Sequence, residues 1–312
     1  FYPHRTAVFM PKPTNIYSSA SLRTLSLNFI NKDTSQRTQD HTSTASSHST
    51  GRTNTDMEYE DFLKLSAVVV TEPKVIVIAE SHLNQDGLRS LAEFCDVSEL
   101  YPSERRGVSD AELLAEIAGR HCYQSYGSRG AKRSNYDYIK STQDRDTPHR
   151  SILYHPKMTF LIGDVSLHVA NELIRNYVGA DRTQEGSPSC ISSRYTFFGG
   201  VYKQYPGGTS INHLCHKNFD EYKYEVVRRF HTSNGSPKGM ERKRILEECA
   251  RMLNRYAATS FLWTTNPIAL AGLIREREHE CADLEFIQLA KMLKSICVER
   301  WPALFSCFLF DS

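Results

Sequence analysis

The sequence predicts an α+β fold: a twisted, mostly antiparallel sheet flanked by helices, with a long helix pair around the centre of the chain. Two observations lead there. Three short runs rich in β-branched and aromatic residues read as strands: Val75 to Ala79, Met158 to Ile162, and Thr259 to Thr265. Between them lie longer segments whose apolar residues recur every three or four positions, the pattern of half-buried helices. A third observation sets the setting: no apolar run reaches the ~18 residues a membrane helix needs.

With 312 residues, 40% apolar and 24% charged, the chain has material for a real core. The net charge of +2 is unevenly spread. Residues 1–55 hold six Lys/Arg against two acids, leaving 32 against 34 and a net −2 elsewhere. A near-neutral body argues against a nucleic-acid binder, which needs a basic face. The eight cysteines are single, with no C-x-x-C pair, as expected of reduced thiols in an intracellular compartment. The cluster His213-x-Cys215-His216 lacks a second ligand pair at zinc spacing, so no metal site is expected.

Two regions are expected: an extension over residues 1–57 and a folded domain over 58–312. Thr34 to Thr55 contains one apolar residue, Ala45, and cannot bury a core. Residues 1–32 are acid-free, with Arg, Lys and Ser among Leu, Phe and Ile. That composition reads either as a mitochondrial or plastid transit peptide or as a disordered extension of a cytoplasmic protein.

In the body, Val75 to Ala79 reads as a buried strand and Gly87 to Phe94 as a helix with Leu88, Leu91 and Phe94 on one side. Ser109-Asp110 caps a helix whose stripe is Leu113, Leu114, Ile117 and Ala118. Phe219 to Phe230 and Met240 to Tyr256 form two amphipathic helices joined by the turn Ser233 to Gly239. Gly199 to Lys217 is irregular. Pro267 starts a further helix at N1, and a long one follows from Ala282.

The richest stretch is 149–195. The strand Met158 to Ile162 passes into a helix, Val165 to Tyr177, capped by Asp164 or Ser166 and ended by Gly179. A loop then packs Asp181, Arg182, Gln184, Glu185, Ser192 and Arg194 closely. Guanidinium, carboxylate and hydroxyl groups at that density suit a phosphorylated ligand, though a solvated loop has the same composition.

These residues carry a resemblance. His149 to His155 (HRSILYH) resembles the H-x-S/T-x-x-E-H element of flavin-dependent thymidylate synthases. NELIRNYVGADRTQE followed by SSRY resembles their E-L-I/V-R-H-R-V-G-A…Q-E-S-x-R-Y signature. The helix ELLAEIAGRHCYQS and the positions Thr259, Thr265, Asn266, Arg277, Ala282, Glu285, Ala290, Pro302 and Phe305 follow the family's order as well. The resemblance runs from about Val75 to Phe305. It implies the family's fold and an enzyme that methylates uracil C5 of dUMP. In that reaction FAD is the cofactor, and NADPH and methylenetetrahydrofolate are co-substrates. It also implies a homotetramer with the site between subunits.

Residue by residue, the resemblance puts Ser192 and Arg194 at the reacting nucleotide. Gln184, Glu185, Arg277 and Glu172 join Arg194 in binding dUMP. It puts His149, Ser151, Arg175, Asn176 and Cys122 at the flavin, with Arg120, Tyr123 and Ser125 on the same side. Four departures stand out. R-H-R is Arg175-Asn176-Tyr177, Tyr154 replaces the Glu of H-x-S-x-x-E-H, and Asn254 replaces a Pro. Gly186 to Ile191 are six extra residues before Ser192. Asn176 and Tyr177 fall on the flavin side, while the residues matched to dUMP contacts are kept. The alternative is therefore a catalytically silent paralogue that retains the fold and nucleotide binding as a structural or regulatory subunit.

Overall fold

A computed structural model describes residues 68–98, 100, 107–126, 133–144, 146–178, 188–198, 201–207, 211–233 and 237–309. The extension, Gly179, Gln184 and Glu185 lie outside them, as do the side chains of Arg175, Asn176 and Tyr177. The described residues begin with β1 (Val68–Val70) and β2 (Lys74–Glu80). Three helices follow: α1 (Gln85–Phe94), α2 (Asp110–Tyr123) and α3 (Asn135–Gln143). A 3-10 turn (Arg150–Tyr154) leads into β3 (Met158–Ser166), α4 (Leu167–Val178), β4 (Ser189–Cys190) and β5 (Val201–Lys203). Then come α5 (Ile211–Thr232), α6 (Gly239–Cys249), a 3-10 turn (Ala250–Met252) and β6 (Ala258–Thr265). Helices α7 (Pro267–Arg277), α8 (Leu284–Arg300) and α9 (Pro302–Leu309) close it.

The main sheet has the order β2-β3-β6-β4, every pair antiparallel, beside a parallel β1–β5 pair. The fold is α+β, as the sequence predicts. Alternation in β3 sends Met158, Phe160, Ile162 and Val165 inward, all fully buried, and Phe160 stacks on Trp263 of β6. This face packs on α4, α7, α8 and α9 to make the larger core. A second core lies around the α5–α6 hairpin, built on Tyr202, Phe219, Tyr222, Val226 and Leu246. Among the described residues no helix is long and apolar enough to cross a membrane, and those cysteines are free.

The strand Val75 to Ala79 is not buried. β2 is an edge strand: Val75 and Val77 pack on the core, but Ile76 and Ile78 point outward at 51% and 54% exposure. A β-branched run carries no mark of which face is covered. Phe94 is exposed as well, and α1 buries none of its residues. The strand entering α4 runs four residues past Ile162, through a register shift against β6 between Ile162 and Val165. Asp164 sits there at φ 55, a conformation Asp tolerates better than most residues, and its carboxylate holds Lys74 at 2.6 Å. Of the two proposed caps, Ser166 is used: its Oγ accepts from Val169 N–H at 3.1 Å. Helix α5 begins at Ile211, inside the stretch read as irregular, and α6 stops at Cys249 rather than at Tyr256. The last long helix starts at Leu284 behind an Asp283 cap.

Candidate functional site

The site grows from α4 and the end of α7. α4 buries Val169, Ala170 and Leu173. That leaves Glu172 half-buried, turned toward Arg277 in the last turn of α7. Arg277 Nη2 lies 3.5 Å from Glu172 Oε2, with the two side chains 23% and 22% exposed. The guanidinium carbon stands 4.9 Å over the ring of Phe286, which is fully buried in α8. Arg277 Nε is buried without a hydrogen-bond partner. A guanidinium held on one side by a carboxylate, floored by an aromatic ring and left with an unused donor is ready for a planar ligand with acceptors on its edge.

Ser192 and Arg194 share one tight turn after β4. Ile191 N–H donates to Ser260 C=O at 3.1 Å, which pins the turn to β6. Ser192 Oγ accepts from Arg194 N–H at 3.3 Å, and Ser192 C=O accepts from Thr196 N–H at 2.9 Å. Arg194 Nε contacts Glu247 Oε1 of α6 at 3.0 Å, and Lys243 Nζ lies 5.4 Å from the centre of the Tyr195 ring. Lys243 and Glu247, four apart, thus present one face of α6 to this turn. Both Ser192 and Arg194 are exposed.

His149 stands edge-on to Tyr123 at the end of α2, with ring centres 5.3 Å apart. Its N–H donates to Thr142 C=O at 2.9 Å, and its C=O accepts from Gln143 Nε2 at 3.2 Å. Its Nδ1 is buried with no hydrogen-bond partner. Ser151, two residues after His149, and Cys122, next to Tyr123 in α2, are both exposed. Arg120, expected on the flavin side, turns inward instead. It is 2% exposed, its Nη2 lies 2.6 Å from Glu116 Oε1, and its Nη1 donates to Ser125 C=O at 2.8 Å. Arg175 and Asn176 fall on α4 with their side chains outside the described residues. Gln184 and Glu185 lie wholly outside them.

Three residues beside these groups are placed there by the structure rather than by any local sequence signal. Phe286 has no signal in sequence beyond an apolar helical position. Glu247 is one charge among many on α6. Glu285 is 1% exposed, and burial pushes its carboxyl above the usual range. Its match to a family position was a sequence signal, but not of burial. Among the described residues no group of His, Cys, Asp and Glu is placed to hold a metal ion.

Comparison with solved structures establishes the class of fold. Thymidylate Synthase X from Helicobacter pylori, a complex with FAD and dUMP, superposes with a TM-score of 0.54 at 19% identity. The match covers 76% of this chain and 99% of that one. A UMP/dUMP methylase, PolB from Streptomyces cacaoi, bound with 5-Br UMP, gives 0.51 at 14% identity, covering 78% and 96%. In sequence, the profile of the Thy1 family, "Thymidylate synthase complementing protein", matches residues 106–303. The chain belongs to this family of flavin-dependent thymidylate synthases. It is 30% identical over 202 residues to a probable flavin-dependent thymidylate synthase of Mycobacterium phage D29, covering 61% of this chain and 80% of the relative. It is 25% identical over 210 residues to the flavin-dependent thymidylate synthase of Corynebacterium diphtheriae, covering 64% and 80%.

Proposed function

We propose that this protein binds dUMP between Arg277, Glu172 and the Ser192–Arg194 turn and methylates it to dTMP, with FAD as cofactor and NADPH and methylenetetrahydrofolate as co-substrates. The observation that carries the reading is the Arg277 guanidinium over Phe286 with a buried, unused Nε. Its donors suit a uracil edge, and a donor held at a carbonyl oxygen draws off charge as C5 becomes the nucleophile. Arg194, exposed and in an ordinary surface ion pair, exchanges Glu247 for a phosphate at small cost. Ser192 lies beside it to orient the ring, and Gln184 and Glu185 complete the nucleotide's contacts. This is positioning and electrostatics without an enzyme nucleophile.

His149 fits a flavin contact: its buried, unpartnered Nδ1 can meet a ribose or phosphate oxygen, and we assign the exposed Ser151 and Cys122 to the same ligand. Arg175 and Asn176 would stand on the α4 side of it. FAD, when bound, supplies the hydride. We extend the reading to a homo-oligomer, a tetramer as in the resembled enzymes. An outward apolar row supports it, with Ile76 opposite Leu161 and Leu161 opposite Leu262. Ile76, Ile78 and Leu262 are all exposed.

The second reading, a silent paralogue that binds nucleotide without turnover, is favoured by Asn176 and Tyr177 at the family's H and R. One preparation separates the two. The protein expressed from Tyr59 onward is loaded with FAD and titrated with dUMP. A flavin band near ~450 nm and dUMP binding lost in Arg194→Ala support the enzyme. A colourless protein that still binds dUMP supports the paralogue. Unchanged dUMP binding in Arg194→Ala removes the nucleotide site as placed.

A further inference from the structure

We infer that the first turn of α8, Asp283 to Phe286, is the positioning element of the nucleotide site: Glu285 clamps the start of α4, Phe286 floors Arg277, and together they set how Glu172 meets Arg277. Two adjacent residues thereby touch both elements that supply the ion pair. The inference rests on the proposed function for its ligand, but not for the clamp itself.

Glu285 Oε1 accepts from Ser166 N–H at 2.7 Å. Ser166 is fully buried and lies where β3 passes into α4, the point at which a strand N–H loses its ladder partner. A buried N–H without an acceptor is costly, because it has lost its water and gained nothing in return. A carboxylate from another helix fills that need and fixes the height and direction of α4. The same turn holds α4 again: Asp283 Oδ1 caps α8 through Glu285 N–H and Phe286 N–H at 2.9 and 3.3 Å, while its Oδ2 lies 4.0 Å from His168 Nε2 of α4. Phe286 then lies under Arg277. Glu285 has a second possible reason to be buried. Lys203, fully buried on β5 with no hydrogen-bond partner for Nζ, feels the charges of Glu285, Asp164 and Glu72. If balancing Lys203 were the role of Glu285, its charge would matter. If clamping Ser166 is the role, its acceptor oxygen matters.

Glutamine separates them, since its amide oxygen still accepts from Ser166 N–H but carries no charge. The test is hydrogen exchange of the α4 amides, with dUMP titration, in the full chain and in Glu285→Gln, Glu285→Ala and Phe286→Ala. Glu285→Gln is expected to keep α4 protection and dUMP affinity within about threefold. Glu285→Ala is expected to speed α4 exchange at least about tenfold while β6 amides stay protected, and to weaken dUMP at least about tenfold. Phe286→Ala is expected to weaken dUMP with α4 protection unchanged. Equal losses in Gln and Ala, or an α4 unmoved by Ala, overturn the clamp. Should Glu285→Ala not fold, Glu285→Asp, which keeps the charge one methylene short, must loosen α4 locally or the clamp is refuted. A wild type that fails to bind dUMP sinks the site reading, and the exchange measurement still decides the clamp.

Discussion

Arg277 and Glu172 meet at 3.5 Å, from the last turn of one helix and the middle of another, over the ring of Phe286. On an exposed helix face such a pair is worth under ~1 kcal/mol and says nothing of function. Here both side chains are more than three-quarters covered, and a buried donor is left over. The expected result is that Arg277→Ala weakens dUMP binding about 10- to 100-fold, the loss of roughly 1.5–3 kcal/mol in hydrogen bonds to a charged group. Arg277→Lys, which keeps the charge but not the fork, should recover only part of it. Calorimetric titration reads both, and an unchanged affinity in Arg277→Ala refutes the assignment.

Asn176 and Tyr177 lie on α4 after Arg175, at the family's H and R. Replacing a cation and an imidazole with an amide and a phenol removes partners for a flavin's polar groups. Asn176→His combined with Tyr177→Arg should therefore raise FAD affinity by about tenfold or more. Ultrafiltration with absorbance of the retained flavin measures it. Equal retention by the parent and the double variant would show that this end of α4 does not face the cofactor.

The sequence made the sheet and the central helix legible because Met158 to Ile162 and Thr259 to Thr265 alternate or run apolar at strand length, while Leu167 to Leu173 repeat at helical spacing. Motif order, rather than any local property, also singles out Glu172 and Arg277, which the structure brings within 3.5 Å of each other. What stayed hidden depends on tertiary contact. Ile76 and Ile78 look like core residues until β2 proves to be an edge strand. Arg120 sits in a motif beside Cys122 and Tyr123, yet its neighbour one turn earlier, Glu116, draws it inward. Phe286 is marked in one dimension only as an apolar helical position, and its place under the Arg277 guanidinium exists only in three.

Gly119 gives a packing prediction. A Cβ built on it would come within 2.6 Å of Tyr138 Oη and 3.1 Å of Tyr138 Cε1, with that ring already 4.6 Å from the Arg120 guanidinium carbon. Two helices, α2 and α3, approach this closely because position 119 has no side chain. Gly119→Ala should destabilise by roughly 1–3 kcal/mol despite alanine's better helix propensity. Adding Tyr138→Phe should return part of the loss, since the closest atom is gone. Melting curves of the two single variants and the double variant form the cycle, and strict additivity would count against this contact.

Glu225 in α5 gives the pH prediction. Hydrogen bonds from Arg228 at 2.8 and 2.7 Å and from Arg229 at 2.7 Å hold its carboxyl down at about 2, from an ordinary 4.5. Arg229 also pairs with Glu248, which ties α5 to α6 over the second core. Because the folded value is depressed, the carboxylate's contribution is fully present above pH 4.5 and is lost as pH falls toward 2. Glu225→Gln should thus lower the melting temperature by roughly 2–4 °C at pH 7, the size expected for about 1 kcal/mol in a domain of this length. The gap between parent and variant should close steadily between pH 4.5 and pH 2. Calorimetric melts at pH 7, 4 and 3 read it, and a gap that stays constant with pH would show that Glu225 acts through packing rather than through its charge.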